Sequence, residues 1–520
     1  MRRLHCPRSF RTIALMSLPR CSGILLHPTS FPGPYGIGDI GAEAEDFVDF
    51  LGEAGQRIWQ VLPLGPTGYG DSPYQSYSSF AGNPLLINLE GLLEDGLLGQ
   101  EDLENRPPFP EDRVDFGTVI GWKNQLLRRA YDNFRHRAGG EEHRAFETFC
   151  AKHAAWLDDF ALFMALKETR GQTSWAEWAP DLALRKPMAL DAARKELVEG
   201  IEAHKFIQYQ FARQWDALHA YAGDHGILLV GDIPFYVAHD SADVWANPGL
   251  FRLDAAGHAT AVAGVPPDYF SATGQLWGNP IYRWDVLAAS GFDWWVRRVR
   301  AALDRVDVVR IDHFRGFEAY WEVAAGEPTA VNGRWVKGPR EALFEALRTA
   351  LGEDLPIIAE NLGMITPEVE ALRERFGLPG MAVFQFGFGT DARSSAFPLH
   401  AYQRDLVAYT GTHDNDTLAG WWESLRRTRK GRAIRRYLRK YLAATGRDFP
   451  WACIRSLMAS VADVVVFPVQ DVLGLGSDAR MNRPGSPSGN WVWRMRSGAL
   501  TPELAERLKE LADIYGRTAE

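Results

Sequence analysis

Eight short runs of apolar and β-branched residues, each bounded by turn-forming residues, recur along this chain. They are Gly23 to Pro28, Ile58 to Leu64, Ile227 to Pro234, Val308 to Phe314, Pro356 to Asn361, Ala382 to Phe388, Val407 to Asp414 and Val464 to Asp471. Their nearly continuous apolar character is that of strands covered on both faces, as in a parallel sheet. Amphipathic helical patterns fall between them at Ala42 to Ala54, Trp294 to Asp304, Pro339 to Leu351 and Pro367 to Phe376. Strands alternating with helices imply parallel strands joined by crossovers, and eight is the number that closes a barrel. The expected fold is therefore an α/β chain forming a (β/α)8 TIM barrel.

Two of the intervals are far longer than ordinary connections of about five residues. Residues 65–226 hold a glycine- and tyrosine-rich loop, a proline-rich stretch near Pro107 to Pro110, and long helical patterns over Glu141 to Glu168 and Met188 to Ala222. Residues 235–307 are dominated by glycine, proline, tryptophan and tyrosine. Both leave the C-terminal ends of strands, the face on which a barrel assembles its site. We expect one catalytic barrel over residues 21–520, with a mostly helical subdomain at about 65–226 after strand 2, an active-site lid at about 235–307 after strand 3, and a smaller insertion after strand 4. Residues 1–20 carry arginines before an apolar patch too short for a signal peptide and are expected to form a disordered extension.

A formal net charge of -9 over 520 residues is modest, and four widely spaced cysteines make no paired metal motif. A reducing, cytoplasmic setting follows as the expectation. The basic stretch Arg426 to Arg439 is read as a solvated helix face, with nucleic-acid binding as the rival reading. No window approaches the roughly 18 continuous apolar residues of a membrane span. The chain is expected to act as a monomer, without nucleic acid or membrane.

The chemistry concentrates where strands end. In Val308-Val309-Arg310-Ile311-Asp312-His313-Phe314, strand alternation points Arg310 and Asp312 the same way. A guanidinium beside a carboxylate favours its charged form and can keep an aspartate ready as a nucleophile, although a structural ion pair would give the same pattern. The fifth run closes on Glu360 and the seventh on His413-Asp414. Three acid-ended strands suit one site assembled from distant segments. His413-Asp414-Asn415-Asp416 also admits a metal reading, but no second cluster with ligand spacing accompanies it, and hydrogen bonding to substrate hydroxyls is the better account.

Two loop motifs need separate treatment. Gly36-Ile37-Gly38-Asp39-Ile40-Gly41 fits a dinucleotide glycine pattern, yet Pro32 and Pro34 lengthen the connection and no acid ends the second strand to hold a ribose. A close-packed loop before the first helix explains those glycines better. The stretch from Gly68 to Tyr77 interleaves aromatic faces with small hydrogen-bonding groups, as do Val265 to Ser271 and Gln275 to Asn279. That mixture suits the C–H faces and hydroxyls of a sugar, with a merely packed loop as the alternative.

With Arg310-Ile311-Asp312-His313, Glu360 and His413-Asp414 on the fourth, fifth and seventh strands, the chain resembles the α-amylase clan, and more closely the amylomaltases, the 4-α-glucanotransferases of glycoside hydrolase family 77. The resemblance runs from about Gly23 to Arg494 and includes LLHPTSFPGPYGIGDIG, PTGYGDSPYQSYSSFAGNP, VAGVPPDYFSATGQLWGNP, VRIDHFRGFEAYWE, GTHDNDT and PSGNW. It implies Asp312 as nucleophile, Glu360 as general acid/base and Asp414 as the carboxylate supporting the transition state. It further implies that Arg310 orients Asp312, that His413, Tyr74 and Asp232 line the subsite of the transferred glucose, and that Trp277, Tyr69, Asp268 and Phe270 contact neighbouring glucose units. The partners so implied are maltooligosaccharides and α-1,4-glucans, with no cofactor and no metal. One departure is Asn361 after the glutamate, where aspartate is expected, which puts a supporting contact in doubt and leaves Glu360 intact.

Overall fold

Each of the eight runs overlaps a strand in the computed structural model, which describes residues 20–136, 140–267, 271–388, 397–444, 446–486 and 488–518. The strands are β1 (Cys21–Leu25), β2 (Ile58–Gln60), β3 (Leu228–Ile233), β4 (Val308–Ile311), β5 (Ile357–Ala359), β6 (Gly380–Val383), β7 (Leu406–Tyr409) and β8 (Val464–Pro468). All pair in parallel in the order β6-β7-β8-β1-β2-β3-β4-β5. The chain is an α/β TIM barrel. Between β5 and β6 the Ala359 amide donates to the Pro379 carbonyl at 2.9 Å, and the Met381 amide donates to Asn361 Oδ1 at 2.7 Å. Asn361 thus stitches the seam and also donates to Glu370 Oε1 at 2.8 Å.

Most strands stop short of the apolar runs that announced them. The seventh ends at Tyr409, four residues before His413, and Phe384–Phe388 turns into a 3₁₀ helix directly after β6. Apolar residues continue past the strand ends because the loops on that face are themselves buried, so hydrophobicity alone overestimates strand length. Within the barrel the Tyr409 hydroxyl donates to Gln60 Oε1 at 2.9 Å, pairing two buried polar groups across its interior.

Residues 65–226 contribute the helices Phe116–His136, Glu141–Thr169 and Val198–Asp224. The pattern read as a single helix over 188–222 is instead two, Pro187–Glu196 and Val198–Asp224, broken at Leu197 with φ -106° and ψ 19°. The apolar period carries through the break, so the sequence pattern does not betray it. The interval after β3 yields a feature the sequence did not signal. Strands Gln275–Pro280 and Ala261–Val265 join Ala319–Ala324 and Gly333–Lys337, from beyond β4, in one antiparallel four-stranded sheet. Glycine obscured it, and glycine is needed there: a Cβ on Gly264 would lie 2.5 Å from the Gln275 carbonyl oxygen. The helix Asp293–Leu303 then returns the chain to β4.

The glycines of 36–41 pack as a close loop. A Cβ on Gly38 would meet the Pro28 carbonyl oxygen at 2.1 Å, and Gly41 precedes the Ala42–Glu53 helix. The Arg429–Tyr441 helix carries the basic stretch, but Arg435 is buried, its guanidinium 4.0 Å from the Trp422 ring centroid. The expected extension at 1–20 lies outside the described residues apart from Arg20, which donates to the carbonyls of Met458, Ala462 and Tyr515 at 2.9, 3.2 and 3.0 Å. Among the described residues no helix is long and apolar enough to cross a membrane.

Candidate active site

At the C-terminal end of β4 strand alternation sends Arg310 and Asp312 to one side, and Arg310 Nη2 donates to Asp312 Oδ1 at 2.8 Å. The same guanidinium holds a second carboxylate more fully: Nη1 lies 2.8 and 2.7 Å from the two oxygens of Asp232, the buried aspartate on β3. Arg310 is itself buried, and these two acids raise its pKa well above the ordinary value despite the desolvation that opposes it. One permanently charged group therefore fixes two carboxylates on adjacent strands. Asp312 is the more open of the two, with 32 % of its side chain exposed.

Directly after Asp312 the backbone turns sharply, with His313 in the left-handed region at φ 53°. A non-glycine residue adopts that conformation at a cost, and here it aims the His313 amide at Glu360 Oε2, 2.7 Å away. The Leu362 amide donates to Glu360 Oε1 at 2.7 Å, so both carboxyl oxygens are held by backbone donors from two segments. Burial first, and then the charge of Asp312, push the Glu360 carboxyl from 4.5 up to about 7, against the opposing pull of Arg310 and the two amides. A buried carboxyl that keeps its proton near neutrality therefore adjoins a more open, arginine-held carboxylate.

The wall opposite is built from β7, β8 and the loop after β2. The Tyr74 hydroxyl donates to Asp232 Oδ2 at 2.7 Å and lies 3.2 Å from His413 Nδ1, joining residues 339 positions apart. The Tyr74 and His413 rings stack with centroids 4.8 Å apart, and Trp491 leans on both at 5.8 Å. Asp414 is held from behind: Asn482 Nδ2 donates to its Oδ1 at 2.6 Å, and Arg480 donates to its carbonyl oxygen at 2.5 Å. Over the other side of Asp312, Trp277 of the small sheet meets the His313 ring edge-on at 4.9 Å and the Tyr236 ring at 6.1 Å. His313 Nε2 and the Tyr236 hydroxyl are buried here without a protein hydrogen-bond partner.

Asp312, Glu360, Asp414, Arg310, His413, Tyr74, Asp232 and Trp277 are thus joined, directly or through His313, in one connected set of contacts. Tyr69 stands apart, 84 % exposed on the loop after β2. Asp268 and Phe270 lie outside the described residues. Sequence reasoning passed over Arg480, Asn482 and Trp491, which brace Asp414 and His413. The signal available for them was a polar stretch, Ala479-Arg480-Met481-Asn482-Arg483, soon after the eighth strand, together with the PSGNW motif. Among the described residues no group of three or more His, Cys, Asp or Glu side chains is placed to hold a metal ion.

Comparison with known proteins finds close relatives of this chain. A family model described as 4-alpha-glucanotransferase matches residues 26–501. The chain is 54% identical over 510 residues to a 4-alpha-glucanotransferase of Thermus thermophilus, covering 96% of this chain and 100% of that protein. It is 44% identical over 508 residues to the chloroplastic/amyloplastic 4-alpha-glucanotransferase of Solanum tuberosum, covering 96% of this chain and 86% of that one. Among solved structures it resembles an amylomaltase from Streptococcus agalactiae in complex with acarbose, with TM-score 0.91, 41% identity, and coverage of 96% and 100%.

Proposed function

We propose a retaining transfer mechanism for this chain, which belongs to the 4-α-glucanotransferases, glycoside hydrolase family 77. In this reading the enzyme moves α-1,4-glucan segments from a donor to the 4-hydroxyl of an acceptor glucan or glucose. Its substrates are maltooligosaccharides and related glucans, in keeping with the acarbose complex of the Streptococcus agalactiae relative. A cytoplasmic setting and action as a monomer belong to the same reading.

The observation that carries the mechanism is the pairing of a half-buried, Arg310-held Asp312 with a buried Glu360 whose pKa reaches about 7. Retaining glycosidases need one carboxylate to attack the anomeric carbon and one carboxylic acid to protonate the departing oxygen. Asp312 attacks as the glycosidic C–O bond breaks, Glu360 gives its proton to the leaving 4-oxygen, and a β-linked glucosyl-Asp312 ester remains. Glu360, now ionised, takes the proton of the acceptor's 4-hydroxyl as that oxygen attacks the same carbon and releases Asp312. Asp414, His413, Tyr74 and Asp232 grip the hydroxyls of the glucose being transferred. Trp277, over His313, favours a sugar acceptor by excluding water from the ester and orienting the incoming hydroxyl. The helical insertion and the small sheet serve as subdomains of the one barrel in this scheme, the sheet acting as the lid.

Incubation of the protein with maltotriose, following glucose, longer oligosaccharides and total reducing ends together, tests the proposal. Transfer produces glucose and a growing ladder at constant reducing ends. Rising reducing ends with no ladder would replace it with hydrolysis.

A further inference from the structure

The segment that carries His413 and Asp414 begins just after β7 and ends where the helix Leu418–Ser424 starts. Its two ends converge on one side chain just beyond the neighbouring strand. Asp471, three residues past the end of β8 and 1% exposed, accepts from the Thr410 hydroxyl through Oδ2 at 2.6 Å and from the Leu418 amide through Oδ1 at 2.6 Å. Thr410 is the first residue beyond β7, and Leu418 is the first of the helix. A single carboxylate therefore sets the span between the two ends of the loop.

A small cavity lined by Leu25, His27, Leu62, Thr412, His413 and Asp471 borders the loop, so packing on that side is incomplete and directional bonds share in fixing the backbone. Within the loop, Asn415 Oδ1 accepts from the Thr412 amide and hydroxyl at 2.8 and 3.0 Å, and Asp416 accepts from Ser477 Oγ at 2.8 Å. Those bonds shape the turn locally or tie it to the Arg480 segment. Gln385 Nε2 donates to the Asp416 carbonyl at 2.7 Å at one end, and among the described residues only the Asp471 pair relates the turn to the barrel wall at both of its ends.

We infer that Asp471 is a positioning residue for the transfer reaction, holding the 411–417 loop so that His413 and Asp414 face the sugar bound at Asp312. The inference rests on the reading of His413 and Asp414 as substrate-contacting groups. Burial offset by two hydrogen bonds is consistent with it: burial pushes the Asp471 carboxyl up to about 7, against the pull of Leu418 and Thr410. The group is held by neutral donors, so an amide can replace it. In Asp471→Asn the amide oxygen accepts from Leu418 and the amide N–H donates to Thr410 Oγ1, whose hydroxyl can rotate.

The test is the kinetics of maltotriose disproportionation for Asp471→Ala, Asp471→Asn, Thr410→Val and Asp414→Asn, each checked for cooperative melting. Asp471→Ala is expected to lose about a hundredfold in kcat, the scale of a 1 Å misplacement, with KM changed by less than about threefold. Asp471→Asn should recover most of that loss. Thr410→Val, which removes one of the two bonds and no volume, should lose several-fold in kcat alone, and with the Asn variant it decides the matter if the Ala variant does not fold. Wild-type kcat in a folded Asp471→Ala or in Thr410→Val would overturn the inference, as would an Asn variant as poor as the Ala one. An active Asp414→Asn would overturn the underlying assignment of the site instead.

Discussion

Glu360 offers the sharpest quantitative test, because one number links its environment to both activity and stability. Its carboxyl rises from 4.5 to about 7, chiefly through burial and secondly through Asp312. At about 1.4 kcal/mol for each tenfold change in proton affinity, this amounts to roughly 3 kcal/mol. The folded state binds the Glu360 proton more tightly than the unfolded chain, so its contribution to stability is fully present below about pH 4.5 and is lost as pH rises through 7. Replacement by glutamine removes that titration. Urea unfolding of wild type and Glu360→Gln at pH 4.5 and 8.5 should therefore show the variant gaining, relative to wild type, up to about 3 kcal/mol between the two pH values. Comparing the change with pH, and not the absolute stability, cancels the cost of setting an amide N–H against one of the backbone donors at His313 and Leu362. In the proposed mechanism the same proton serves leaving-group departure, so wild-type kcat should fall about tenfold per pH unit above 7. Carbon-13 titration of Glu360 in Asp312→Asn should show its pKa lowered but still above 4.5, since burial, the larger cause, persists. Equal pH dependence of unfolding in wild type and variant, or a kcat flat to pH 9, would refute the reasoning.

Three further outcomes are expected. Tyr74→Phe removes the donor to Asp232 Oδ2 and the partner of His413 Nδ1, and should cost roughly 1–3 kcal/mol in kcat/KM on maltotriose. Trp277→Ala, which uncovers His313, should raise the ratio of hydrolysis to transfer, read as the rate of new reducing ends against the rate of glucose release. Asn361→Asp would set a charge against Glu370 where the amide now donates at 2.8 Å, and should lower unfolding free energy by about 1 kcal/mol at pH 7, with the loss disappearing near pH 4 as one carboxylate takes up a proton.

Much of the barrel was legible in the chain itself. Eight apolar runs announced eight parallel strands in their correct order, because strands covered on both faces have no polar side to interrupt the run. Period-two geometry put Arg310 beside Asp312, a relation two residues long that local stereochemistry enforces. Glu360 and the His413-Asp414 pair were found as acids following such runs, a position that only function or a special partner justifies. The break at Leu197 and the small antiparallel sheet escaped notice for local reasons as well: one leaves the apolar period intact, and the other is written in glycine-rich segments on both sides of β4.

Tertiary structure decided the electrostatic division of labour. Arg310 turned out to be shared with Asp232, Asp414 to be braced by Asn482 and Arg480, and the loop that carries it to be spanned by Asp471. None of these partners lies within a helix or strand period of the residue it serves. A side chain's facing direction is fixed by its own few backbone angles and can be read from neighbours in sequence. Its pKa and orientation depend on which distant groups closure of the barrel brings within 3 Å and how much water that closure removes, and those quantities exist only once the chain has folded.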